Sequence, residues 1–220
     1  MITNCYIHDT SSKYYGMDVV ALHFARHVII SNNVIENIKS SDNYGGGVEI
    51  LASQDSGNDV RHVLIGGNIF NNIGEFAIAT TYVDSVNNDL PHDIIINNNI
   101  IRNTVQNAVL IRCGRDIIIE GNKIDSSQGP GIKVSNYASR VIIRGNSVKS
   151  CKRGIYVTGL KDNISGSEEE TVIIEGNIAS FNTYEGIRLE YTARTSIAVS
   201  YTHLRAHETE ADLVCRLLLE

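Results

Sequence analysis

Val141-Ile142-Ile143-Arg144-Gly145-Asn146 is the stretch that decides the fold, because the chain repeats its pattern. An aliphatic triplet, two intervening residues and an Asn recur as Val28-Ile29-Ile30 to Asn33, Val63-Leu64-Ile65 to Asn68 and Ile94-Ile95-Ile96 to Asn99. They recur again as Ile117-Ile118-Ile119 to Asn122 and Val172-Ile173-Ile174 to Asn177. Most copies then reach a Gly and a second short strand: Gly47-Val48-Glu49-Ile50, Gly131-Ile132-Lys133-Val134, Gly154-Ile155-Tyr156-Val157 and Gly186-Ile187-Arg188-Leu189. A period of roughly 20–35 residues built from such parts marks a solenoid.

Each strand is too short to bury a core alone. Stacked in parallel, every rung pairs its backbone with the rungs above and below. The triplets suit a sheet buried on one face and paired on both edges. Helical spacing is absent over Met1–Ala198, and no apolar segment is long enough to span a membrane as a helix. The recurring Asn is expected at a corner, where it tolerates left-handed backbone angles. Its side chains should stack as a ladder through Asn4, Asn33, Asn68, Asn99, Asn122, Asn146 and Asn177. The Gly before each second strand is expected to supply a turn with positive φ, with Asn107 in its place on the fourth rung.

On these two repeats the chain resembles the right-handed parallel β-helix superfamily, the pectate-lyase-like folds, over about Met1 to Ala198. The expected fold is all-β: a right-handed parallel β-helix solenoid of about seven rungs, incomplete at both ends. Met1 opens in mid-rung. Residues 1–198 form the repeat domain, and Val199–Glu220 resembles a translated short-read sequencing adapter, a non-native tail to be excluded from fold reasoning. The alternative is a capping helix opened by Thr209-Glu210-Ala211-Asp212, with Leu213, Leu217 and Leu218 as its apolar stripe.

The net charge is −6, but its distribution is uneven. Residues 115–161 hold 9 Lys and Arg against 3 Asp and Glu, between acidic ends. An anionic ligand such as a uronate chain suits that band, as does a solvated repeat surface. An acidic chain with a local basic band and no known nucleic-acid module argues against nucleic acid. Cys5, Cys113 and Cys151 lie at no metal-like spacing and read as small hydrophobes. Phosphate-binding loops, dinucleotide fingerprints, zinc-type spacings and nucleophile elbows are absent.

The resemblance implies a cleft along one sheet, with outward side chains stacked rung on rung. The second strands offer such a column: Asp18, Glu49, then Ala77, Val109 or Leu110, then Lys133, Tyr156 and Arg188. With rungs about 4.8 Å apart, Glu49 and Lys133 stand about 14 Å from each other. β-Elimination of a uronate needs a base for the C5 proton and neutralisation of the carboxylate, and some lyases resembling this fold use Lys or Arg. Lys133 is the candidate base if basic neighbours lower its pKa. Arg188 is a candidate bidentate carboxylate clamp, and Tyr156 a stacking platform or acid. Asp18 and Glu49 suit a calcium ion, or a retaining glycosidase pair about 5 Å apart. Solvated side chains are the plain alternative at all these positions. Insertions at 51–62, 80–93 and 158–171 share one side of the repeat, so Tyr82, Asp84 and His92 are candidate substrate-binding residues, with Asp93 beside them.

These features point to a polysaccharide lyase, with a hydrolase, an epimerase or a non-catalytic carbohydrate-binding or adhesion β-helix as rivals. Polysaccharide is the expected partner. An extracellular or cell-surface location is implied by the family alone, and oligomeric state is left open.

Overall fold

The computed structural model describes residues 1–12, 17–40, 45–52, 59–82, 90–160, 171–192, 195–198 and 201–203. They are strands and turns, with no helix, and all strand pairs are parallel. The chain coils through three faces. Face one stacks Ile2–Thr3, Arg26–Ser31, Arg61–Gly66, His92–Asn97, residues 115–120, residues 139–144, Val172–Glu175 and Thr195–Ala198. Face two stacks Tyr6–His8, Val34–Ser40, Ile69–Ile73, Ile100–Thr104, Lys123–Ser127, Ser147–Lys149, Ile178–Ser180 and Tyr201–His203. Face three stacks Met17–Leu22, Gly45–Ala52, Ile78–Tyr82, residues 109–113, residues 130–136, Arg153–Leu160 and Ile187–Glu190. Two strands, Val109–Glu120 and Pro130–Arg144, run from face three into face one without a break. The parallel pairing continues past Ala198, since Tyr201–His203 pairs with Ile178–Ser180. Residues 199–200 and 204–220 of the expected adapter-derived tail, including the segment of the alternative capping helix, lie outside the described residues.

The core is one continuous column of aliphatic side chains. From face one it takes the first and third members of each triplet, such as Val63 and Ile65, Ile94 and Ile96, Ile117 and Ile119. The middle members, Ile29, Leu64, Ile95, Ile118, Ile142 and Ile173, point outward and line a groove of about 930 Å³. Period two along each strand produces this split.

The Asn ladder is present, with one correction. Asn33, Asn68, Asn99, Asn122, Asn146 and Asn177 are at most 1% exposed. Each side-chain amide of the first five donates to the next Asn Oδ1 at 2.9–3.0 Å. Each also donates to a carbonyl on face one, such as Ile65 O for Asn99 at 3.0 Å. Asn4 is not a member: Cys5 occupies the ladder position, its N–H donating to Asn33 Oδ1. Nor are the ladder residues the left-handed ones. That conformation belongs to the residue before, namely Asn4, Asn32, Gly67, Asn98, Gly121, Gly145 and Gly176. The corner therefore divides the work. A residue that tolerates positive φ makes the bend, and the following Asn turns inward to satisfy buried backbone groups.

The glycines that open face three are also corrected. Gly47, Gly131 and Gly154 have no positive φ. They are required because a Cβ there has nowhere to go: on Gly47 it would lie 2.4 Å from Ala77 O, and on Gly154 2.3 Å from Gly186 O. In register the column runs Gly47, Ala77, Ala108, Gly131, Gly154, so Ala108 rather than Asn107 fills the fourth rung. Gly154→Ala should lower stability by about 2–3 kcal/mol, because the obstructing atom is backbone and cannot rotate away. A urea midpoint equal to wild type would contradict this.

Candidate functional site

Register on face three sets which side chains share a column. The pairings give Ala21, Glu49, Ala79, Leu110, Lys133, Tyr156 and Arg188 as one outward row. Lys133, Tyr156 and Arg188 do stand on three consecutive rungs. Two expected members are corrected: Ala21 replaces Asp18, and Ala79 replaces Ala77. Counting from Ala77 as the small residue of its rung would have placed Ala79.

Asp18 pairs in register with Gly46, three residues along the strand from Glu49. It still meets Glu49, because Gly46 leaves room for its side chain to cross. Asp18 Oδ1 lies 2.1 Å from where a Gly46 Cβ would stand. Burial, a hydrogen bond to Glu49 and repulsion from Glu49 and Glu75 push the Asp18 carboxyl up to about 8. Burial and Glu49 also raise Glu75. Thr81 Oγ1 donates to Glu49 Oε1 at 2.5 Å. Asp18 and Glu49 thus form a hydrogen-bonded carboxyl pair. Among the described residues no group of three or more His, Cys, Asp or Glu is placed to hold a metal ion.

This carboxyl makes stability depend on pH. The folded state holds the Asp18 proton more tightly than the unfolded chain, whose value is near 3.8. The contribution is therefore full below about pH 4 and is lost as pH rises toward about 8. Asp18→Asn should flatten the fall in urea midpoint over that window and be relatively more stable than wild type at pH 9. An unchanged slope would contradict the assignment.

The far end of the row is basic but internally neutralised. Arg153 Nε donates to Glu185 Oε2 at 2.8 Å. Arg188 donates through Nη1 to Glu185 Oε1 at 2.7 Å and through Nε to Glu190 Oε2 at 3.2 Å. Tyr156 Oη donates to Glu190 Oε2 at 2.6 Å. Lys133 Nζ, the Arg153 guanidinium and the Arg188 guanidinium lie 5.7, 5.2 and 5.8 Å from the centre of the Tyr156 ring. Arg153 also lies 5.2 Å from the Tyr184 ring, so it stands between two aromatic faces. The expected clamp, Arg188, thus has its donors engaged by Glu185 and Glu190.

Arg112 was missed by sequence reasoning. It sits at a bulge, where the register between residues 109–120 and 130–144 shifts between Ile111 and Cys113. A bulge breaks the period-two count and re-aims a side chain. Arg112 is exposed and makes no ion pair among the described residues. Its field nonetheless reaches both ends, opposing the rise at Glu75 and adding to the fall at Lys133. Lys133 is half-buried and likewise has no carboxylate partner among the described residues. Burial, then Arg112 and Arg153, hold its pKa below the usual lysine range. Under this stretch lies a small apolar floor of Phe76, Ala79 and Leu110.

The remaining candidates separate. Tyr82 ends its strand beside the bulge, accepts a hydrogen bond from Asn136 Nδ2 at 2.9 Å and packs edge-on against Tyr137. Asp84 lies outside the described residues, as do 53–58 and 161–170 of the other insertions. His92 stands at the start of a face-one strand, not on face three. Its Nε2 lies 2.6 Å from Asp59 Oδ2 and its Nδ1 2.8 Å from Asp93 Oδ2, while Arg26 bonds Asp59 Oδ1. That is a polar network, buried at His92 and Asp59 and half-exposed at Arg26 and Asp93, tying three rungs together. The face-one groove has an aliphatic floor; along it His27 stacks on His62, His62 meets Asp93, and Asp116 is held by Arg140.

A family model described as "Right handed beta helix region" matches residues 82–210, more than half of the sequence. The chain belongs to the right-handed β-helix family. Among solved structures, this β-helix is similar to the A-module of the mannuronan C-5 epimerase AlgE4 of Azotobacter vinelandii. The TM-score is 0.64 at 19% identity, covering 91% of this chain and 54% of that one. It is also similar to a double mutant of the periplasmic alginate epimerase AlgG, with a TM-score of 0.60 at 15% identity, covering 91% and 47%. At such identities the likeness is one of fold. The chain spans about half the length of these structures. No curated protein matches it in sequence.

Proposed function

We propose that face three of this β-helix binds a uronate-containing polysaccharide and carries out C5 proton abstraction as a lyase. The observation that carries the reading is the pairing pattern of its cations. Arg153 and Arg188 are ion-paired to glutamates, whereas Arg112 and Lys133, on adjacent rungs, make no ion pair among the described residues. Arg112 neutralises the substrate carboxylate, which makes the C5 proton acidic. Lys133, with its lowered pKa, takes that proton on Nζ. The C5 electron pair forms the C4–C5 double bond as the C4–O4 bond breaks. The departing O4 takes the Tyr156 phenolic proton, which solvent replaces. That the fold neighbours are named as alginate and mannuronan epimerases supports a polysaccharide as partner, and an extracellular or periplasmic setting. Epimerisation shares the first half of this path and differs in returning the proton to C5 from the opposite side.

The test is incubation of the full chain with uronate polymers, followed by ultraviolet absorbance, reducing ends and NMR of the product. Unsaturated ends support the lyase. A changed uronate configuration with intact chains assigns the epimerase branch instead. Binding without product leaves a non-catalytic carbohydrate module, and neither binding nor product sinks the proposal.

A further inference from the structure

We infer that the face takes a heteropolysaccharide in which uronates are separated by uncharged sugars, not a homopolyuronate; this rests on the uronate-binding reading above. Charge is ordered along the stacked rungs. Two rungs before Arg112 stands Glu49, with Asp18 and Glu75 beside it. Then come Arg112 and Lys133. Beyond Lys133, Arg153 and Arg188 are cancelled by Glu185 and Glu190. Among the described residues of the face-three strands, the cations without an ion pair are thus Arg112 and Lys133, on two adjacent rungs, with carboxyl groups on both sides.

A pyranose repeat is comparable with the rung spacing of about 4.8 Å. A homopolyuronate lying along the coil carries a carboxylate on every sugar, so its flanking carboxylates would face Glu49 and Glu75 on one side and, on the other, guanidinium groups already engaged by Glu185 and Glu190. Like charges so placed disfavour that partner. An uncharged sugar there gains instead, because its hydroxyls donate to carboxylate oxygens. At the Glu190 end the half-exposed Tyr184 ring, stacked on Arg153, offers an aromatic face to a sugar ring. Within the basic band, Arg140, Arg144, Lys149 and Arg153 are each paired with an acid one rung away.

The experiment compares binding of the full chain to two unsulfated polymers of matched length by calorimetry. One alternates glucuronate with N-acetylhexosamine; the other is polygalacturonate or mannuronan. Affinity at least tenfold higher for the alternating polymer is expected. Equal or tighter binding of the homopolyuronate overturns this inference while leaving the uronate site standing, whereas no binding of either removes both. A Glu49→Gln, Glu75→Gln double variant should bind the homopolyuronate at least fivefold better than wild type, with the alternating polymer within twofold. An unchanged ratio also overturns the inference.

Discussion

Asn99→Ala will lower the stability of the coil by about 3–4 kcal/mol, among the largest single-residue effects in this chain. Asn99 sits mid-ladder and is fully buried. Its Oδ1 accepts from both the backbone N–H and the side-chain amide of Asn68 at 3.0 Å. Its own amide donates to Ile65 O and to Asn122 Oδ1 at 3.0 Å. Truncation leaves two donors on Asn68 without that acceptor, and Ile65 O without its side-chain donor, in a corner closed to water. Each such loss costs about 1–3 kcal/mol, reduced where neighbours relax. Asn71→Ala is the control: Asn71 accepts from Asn103 at 3.0 Å in an exposed pair and should stay within about 1 kcal/mol of wild type. Urea denaturation followed by circular dichroism measures both. Equal midpoints for the two variants would show that the ladder is not a principal source of stability.

Lys133→Ala should lower turnover of the polymer by about 10³-fold with little change in KM, as expected on removing a general base. Lys133→Arg should be nearly as poor, because guanidinium does not give up its proton near neutral pH. Arg112→Ala should lower kcat/KM by about 10²–10³-fold, since carboxylate neutralisation matters more as charge develops at C5. Arg112→Lys should recover part of that loss. Arg188→Ala, by contrast, should act indirectly. It takes one cation from Glu185 and Glu190, which keep Arg153 and Tyr156 as donors, adds net negative charge to that end and so raises KM for an acidic polymer more than it lowers kcat. Full activity in Lys133→Ala would remove the proposed base. A kcat collapse in Arg188→Ala larger than that in Arg112→Ala would reverse the roles assigned to the two arginines.

The coil itself is legible in the sequence because its information is local and repeated. Aliphatic triplets fix which residues face inward by period two, and the Asn after each fixes the corner. A parallel stack then follows from backbone pairing, and spacing alone places Asn68 and Asn122 in the ladder. The site is half legible for the same reason. Lys133, Tyr156 and Arg188 fall into one row because each follows its rung's glycine by two residues. Spacing misplaces Asp18 and Ala77, where that glycine is replaced by a small residue or the strand is entered differently. It also misreads the role of the glycines, because close approach to the next rung's carbonyl leaves no mark on a linear pattern.

By itself, then, the sequence determined that the chain winds as a parallel solenoid, what fills the core, and that Lys133, Tyr156 and Arg188 stack, since each is set by spacing within one repeat. Tertiary structure decided what these residues have as neighbours, and so what they can do. The bulge aims Arg112, and Gly46 lets Asp18 reach Glu49. Glu185 and Glu190 cancel two of the three cations around Tyr156. Partners in this fold lie one rung away in space but some 20 to 35 residues away in sequence, so ion pairing, and with it reactivity, is a property of register.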